Sequence, residues 1–66
     1  MAFDDCASSL QDPEAILGSD VLHIGTTAEG CRVYRPHNAA AAHILRELGF
    51  RFGTHRVAGG YARGWK

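Results

Sequence analysis

The sequence predicts an α+β domain: a small antiparallel sheet in ββαββ order, one principal helix, and a short acidic helical segment ahead of them. Three observations carry that expectation. The alanine-rich stretch Ala39 to Leu48 follows Asn38 and precedes Gly49, residue types that open and close helices. β-Branched and aromatic residues recur on both sides of it, at 21–25, 31–35, 50–57 and 61–66. Glycine-containing connections, Thr26 to Gly30 and Ala58-Gly59-Gly60, turn each flanking region into a hairpin. At 66 residues and 7.1 kDa there is room for one small core. The expected domain therefore spans residues 1–66, with an acidic lead-in at 1–20 and the ββαββ core at 21–66.

Taken in order, Phe3, Cys6, Ala7 and Leu10 have the spacing of one short helical stripe. Asp12-Pro13-Glu14 reads as a second helix start, with Asp12 able to accept an orphan amide and Pro13 at the first helical position. Gly18 limits that helix to about one turn. Val21 to Gly25 and Cys31 to Arg35 pair as a hairpin, placing Cys31, Val33 and Arg35 on one face and Arg32 and Tyr34 on the other. Val33 is expected inward, and Pro36 ends the strand because it has no amide to donate. On the helix, Ala41, Ile44, Leu45 and Leu48 form the apolar face, and Phe50 is placed to close over Leu45 beyond Gly49. In the last hairpin, Phe50 and Phe52 share a face, as do Tyr61, Arg63 and Trp65. The expected core is Val21, Ile24, Val33, Ala41, Ile44, Leu45, Leu48, Phe52 and Val57.

The net charge is zero, yet the charges are segregated. Residues 1–30 carry Asp4, Asp5, Asp12, Glu14, Asp20 and Glu29 without a lysine or arginine. Residues 31–66 carry Arg32, Arg35, Arg46, Arg51, Arg56, Arg63 and Lys66 against the single acid Glu47. Such asymmetry implies either a polarised surface or acidic and basic segments folded against each other. The longest aliphatic run, Ala39 to Ala42, is far short of the roughly 20 residues that cross a bilayer. Phe3 is followed by Asp4 and Asp5 rather than by the apolar run of a secretory signal. A cytoplasmic protein is expected; Cys6 and Cys31 could form one bridge, but a reducing cytosol favours them as buried free thiols.

Cys31, His37 and His43 are spaced by six, with His23 on the paired strand, which does not match the close ligand pairs of structural zinc sites. Polar surface histidines are the expectation, with no metal and no cofactor. No signature marks an oxyanion hole or substrate pocket, so no catalytic residue is assigned and a non-enzyme is expected. The second half has more content, because arginines interleave with aromatics around Phe50, Phe52, Tyr61 and Trp65. Single-strand binders use that combination, stacking bases on aromatics and tracking the backbone with cations. Gly49-Phe50-Arg51-Phe52 looks like part of the aromatic strand motif of RNA-recognition domains, but Leu48, Arg51 and Gly53 depart from it, and the chain is not assigned to that family.

In size, lack of catalytic motifs and segregated charge, the chain is similar to small inhibitors from phages and mobile elements, including anti-CRISPR proteins. That resemblance implies a non-enzymatic inhibitor of a nucleic-acid-handling protein complex, and it transfers no individual residue. Two contact surfaces are expected for it. One is acidic, Asp4, Asp5, Asp12, Glu14 and Asp20, with carboxylates imitating phosphates. The other is basic and aromatic, Arg51, Arg56, Arg63, Lys66, Tyr61 and Trp65, and these residues also suit direct binding of RNA or DNA. The marginal core adds a third expectation, a small subunit of an obligate assembly, homo-oligomers included.

Overall fold

The computed structural model describes residues 11–66. The helical stripe expected from Phe3, Cys6, Ala7 and Leu10 lies outside them, as do Asp4 and Asp5. In order come α1 (Pro13–Leu17), a 3-10 turn (Gly18–Asp20), β1 (Val21–Thr26), β2 (Arg32–Pro36), α2 (Ala39–Glu47), β3 (Phe52–Val57) and β4 (Gly60–Trp65). This is the expected α+β class, built on one antiparallel sheet of order β1-β2-β4-β3.

Each boundary has a local cause. The Asp12 carboxylate accepts the Glu14 amide at 3.2 Å, with Pro13 at the start of α1, and Gly18 ends that helix at φ +59°. Asn38 Oδ1 accepts the Ala41 amide at 2.8 Å to open α2. At its other end the Gly49 amide donates to Arg46 O at 3.1 Å and the Phe50 amide to Leu45 O at 3.0 Å. With Gly49 at φ +103°, these two bonds form a Schellman ending, and Phe50 and Leu45, both fully buried, supply its apolar contact. Pro36 lies inside β2 rather than after it, so the strand runs one residue further than its missing amide predicts.

The sheet is rolled. β2 and β4 share a single register pair, Tyr34 with Trp65, so the β1–β2 and β3–β4 hairpins splay from that point. The two outer strands nevertheless meet: a Cβ at Gly25 of β1 would stand 2.9 Å from Val57 Cγ1 of β3. A bulge between His23 and Gly25 re-aims β1. There the His23 Nε2–H donates to Gly25 O at 2.8 Å and lies 3.0 Å from Thr26 Oγ1.

Rolling buries β2 on both faces. Val33 points to the concave side, where a Cβ at Gly64 would come within 2.9 Å of it, while Tyr34 points to the convex side against Leu45, Phe50 and Val21. Leu17, Leu48 and Trp65 close the edges of that cluster. Four expected core residues, Val21, Val33, Ala41 and Leu45, are buried. Phe52, expected inside, is 54% exposed, because the Schellman ending swings Phe50 into the core and leaves Phe52 as the first residue of β3, facing out. Phe50 and Phe52 therefore do not pack together: the first is core, the second is surface. Ile44 is also exposed, since only the Ala41, Leu45 and Leu48 stripe of the nine-residue α2 meets the sheet.

Cys31 is buried and disulfide-bonded, which overturns the free-thiol expectation for it. The other cysteine of the chain, Cys6, lies outside the described residues.

Candidate functional site

The convex face of the sheet is covered on one hairpin and bare on the other. Over β1 and β2 it carries α2 and Phe50. Over β3 and β4 no described element covers it, and strand alternation decides what it shows. The register pairs Phe52 with Trp65, Thr54 with Arg63 and Arg56 with Tyr61, so these six side chains project to one side. Burial follows the same alternation: Phe52, Thr54, Arg56, Tyr61 and Arg63 are exposed, whereas Gly53, His55, Val57 and Ala62 are half-buried and Gly64 is buried. Tyr61 is 72% exposed, high for a large aromatic ring.

The residues of this face are organised in two groups. At the base of the hairpin, Phe52 and Trp65 lie 5.8 Å apart with a 57° interplanar angle, and the Arg63 guanidinium lies 5.6 Å from the Phe52 centroid. Trp65 also packs on the core, so this end of the face is anchored. Towards the tip, Arg56 and Tyr61 stand opposite each other, one pair before the Ala58-Gly59 turn, where Gly59 has φ +92° and Gly60, the first residue of β4, φ +143°. Among the described residues no carboxylate pairs with Arg56 or Arg63; the one ion pair there is His43 with Glu47, at 4.0 Å on exposed α2.

Four of the six basic and aromatic candidates thus meet on one surface: Arg56, Tyr61, Arg63 and Trp65. Arg51 and Lys66 flank these strands rather than lying in them. They exchange backbone hydrogen bonds beyond the strand ends, at 3.2 and 3.0 Å. The Arg51 side chain folds back, Nη1 donating to Phe50 O at 2.9 Å. Lys66 lies on a cleft that Arg56 and Tyr61 also line, together with Glu29 and His55. Its charge helps hold the Glu29 carboxyl below the usual range, after the larger effects of Glu29's own backbone amide and the Thr27 hydroxyl. Phe52 completes the face but had been expected in the core, and only the β3–β4 register shows it opposite Trp65.

Of the acidic candidates, Asp12, Glu14 and Asp20 fall among the described residues. Asp12 is occupied as the cap of α1, Glu14 follows it, and Asp20 lies in the 3-10 turn, its backbone carbonyl accepting the His37 amide at 2.7 Å. Among the described residues no three His, Cys, Asp or Glu side chains converge to hold a metal ion. No family model, curated protein or solved structure matches this chain.

Proposed function

We propose that the protein is a non-enzymatic binding module that holds single-stranded nucleic acid on the bare face of the β3–β4 hairpin. One observation carries the reading: Phe52, Tyr61 and Trp65 share a face with the guanidiniums of Arg56 and Arg63, which pair with no carboxylate among the described residues. Exposed rings stack unpaired bases, and arginines meet the phosphates between them. Tyr61 and Trp65 are four residues apart on one strand, about 13 Å at a rise of ~3.3 Å per residue. A face of that length suits two or three bases, as sheet-face aromatics do elsewhere.

The test is fluorescence anisotropy of labelled single-stranded RNA and DNA, with duplex DNA beside them. Saturable binding of the single strands is expected. Two arginine contacts give a slope near −1.4 in log affinity against log salt, a roughly sevenfold loss between about 50 and 200 mM. Arg56→Gln should halve that slope, and Tyr61→Ala should weaken binding by about 1–3 kcal/mol. Absence of single-strand binding at low salt overturns the proposal.

A second reading keeps the protein as an inhibitor of a nucleic-acid-handling complex, similar in character to anti-CRISPR proteins. It draws on Asp12, Glu14 and Asp20, which make no ion pair among the described residues. Capture of a protein complex that survives charge reversal at all three would remove the phosphate-imitating version. A cytoplasmic location belongs to both readings. No described helix is long and apolar enough to cross a membrane. Since Cys31 is disulfide-bonded and the cytosol keeps thiols reduced, that location further requires the reduced chain to be active.

A further inference from the structure

We infer that two copies of the chain join edge to edge through β3, in antiparallel register about a two-fold axis at Thr54. The inference does not depend on the single-strand reading. β1 and β3 are the outer strands of the sheet. β1 is blunted by the bulge between His23 and Gly25, whereas β3 pairs with β4 along its whole length without a bulge and contains neither proline nor lysine. β1 touches β3 through the Val57 side chain, and a cleft of about 810 Å³ lies between residues 26–29 and residues 54–57. Among the described residues no backbone hydrogen bond reaches β3 from β1 or from that loop.

Strand alternation fixes which groups that edge offers. Arg51 and Lys66 exchange both backbone hydrogen bonds, and the register runs on unbroken from there, so Gly53, His55 and Val57 also bond inwards to β4. Phe52, Thr54 and Arg56 therefore turn their amides and carbonyls outwards. One two-fold register pairs all three: Thr54 opposite Thr54 of the second copy, with Phe52 and Arg56 opposite each other on either side, each pair exchanging both hydrogen bonds. The residue types agree with it. Threonine facing threonine is a favourable cross-strand pair, and Arg56 is set opposite an aromatic residue instead of the like charge of its own counterpart. Between these pairs, His55 of one copy stands opposite Gly53 of the other, where no side chain opposes the ring. A two-fold axis perpendicular to the sheet keeps each face on its own side, so the two bare faces become one continuous surface. The second copy thus extends the candidate site and does not cover it.

Sedimentation equilibrium of the full chain between about 10 and 500 µM, where small interfaces dissociate, should show the mass rising towards twice 7.1 kDa. Over the same range, amide exchange followed by NMR should slow at Phe52, Thr54 and Arg56, while Gly53, His55 and Val57 stay protected throughout. Thr54→Lys and Thr54→Glu should each weaken association about fivefold, because like charges then face each other across the axis, and an equimolar mixture of the two should restore it. Thr54→Pro should abolish the dimer. The amide it removes points away from β4, so the monomer keeps its ladder, with circular dichroism confirming the fold. A chain that is monomeric at the top of the range overturns the proposal and leaves the edge to an extended segment of another protein. A dimer whose Phe52, Thr54 and Arg56 amides exchange as fast as in the monomer overturns it too, as does one that Thr54→Lys and Thr54→Glu both leave intact, since either is joined through another surface.

Discussion

Tyr34 is fully buried, yet its hydroxyl has no hydrogen-bond partner among the described residues. Its ring is well used, 6.0 Å from Phe50 edge-on, 5.5 Å from His23, and under the Arg32 guanidinium at 5.9 Å. An unsatisfied buried hydroxyl costs about 1–3 kcal/mol, so Tyr34→Phe should keep the packing and raise stability by about 1 kcal/mol. For a domain of this size that is a rise in melting temperature of roughly 4–8 °C. Burial also pushes the Tyr34 phenol above its ordinary value; Arg32 opposes this, while Glu14 and Asp12 add to it. The unfolded phenol ionises near pH 10 and the folded one above it. The Tyr34 contribution is therefore complete below about pH 10 and is lost as pH rises through that value towards the folded one. Urea midpoints of wild type and Tyr34→Phe between pH 7 and about 11 check both claims, and the advantage of the variant should widen at the alkaline end. A variant less stable than wild type at pH 7 would show that the hydroxyl is satisfied.

At the scale of elements, the contact between hairpins depends on Gly64. A Cβ there would stand 2.7 Å from the Tyr34 carbonyl oxygen, 2.9 Å from Val33 Cγ1 and 3.0 Å from Ile24 Cδ1. The first of these is backbone and cannot rotate away, so Gly64→Ala should cost about 1–3 kcal/mol in thermal or urea unfolding. Its register partner Gly53 is the control, because a Cβ there meets only the His55 ring, at 3.5 Å. Gly53→Ala should change stability by less than about 0.5 kcal/mol. Neither distance is legible in the sequence, because both depend on how separate hairpins meet. What is local was legible: the caps Asp12 and Asn38, the Gly49 ending with Phe50 over Leu45, and the shared face of Tyr61, Arg63 and Trp65, which needs only a period of two. Phe52 was misplaced because its two-residue spacing from Phe50 holds only if one strand contains both.

For the whole molecule, stability and binding rest on different parts of the chain. The Cys31 disulfide lies just before β2, whereas the proposed binding face is confined to β3 and β4. A cross-link contributes typically about 2–4 kcal/mol, chiefly by restricting the unfolded chain. A single core of this size rarely supplies more than about 3–5 kcal/mol, so the bond is a large share of the total. Reduction should therefore lower the urea midpoint markedly without removing any group from the Phe52, Arg56, Tyr61, Arg63 and Trp65 surface. Anisotropy titrations with and without a phosphine reductant, well below the melting temperature of the reduced protein, should give affinities within about twofold of each other. If reduction abolished binding while circular dichroism showed the fold intact, the contact surface would have to include the region around Cys31. If it left the midpoint unmoved, the core formed by Tyr34, Leu45, Phe50 and Val33 would be sufficient alone, and a reducing compartment would place no demand on the fold.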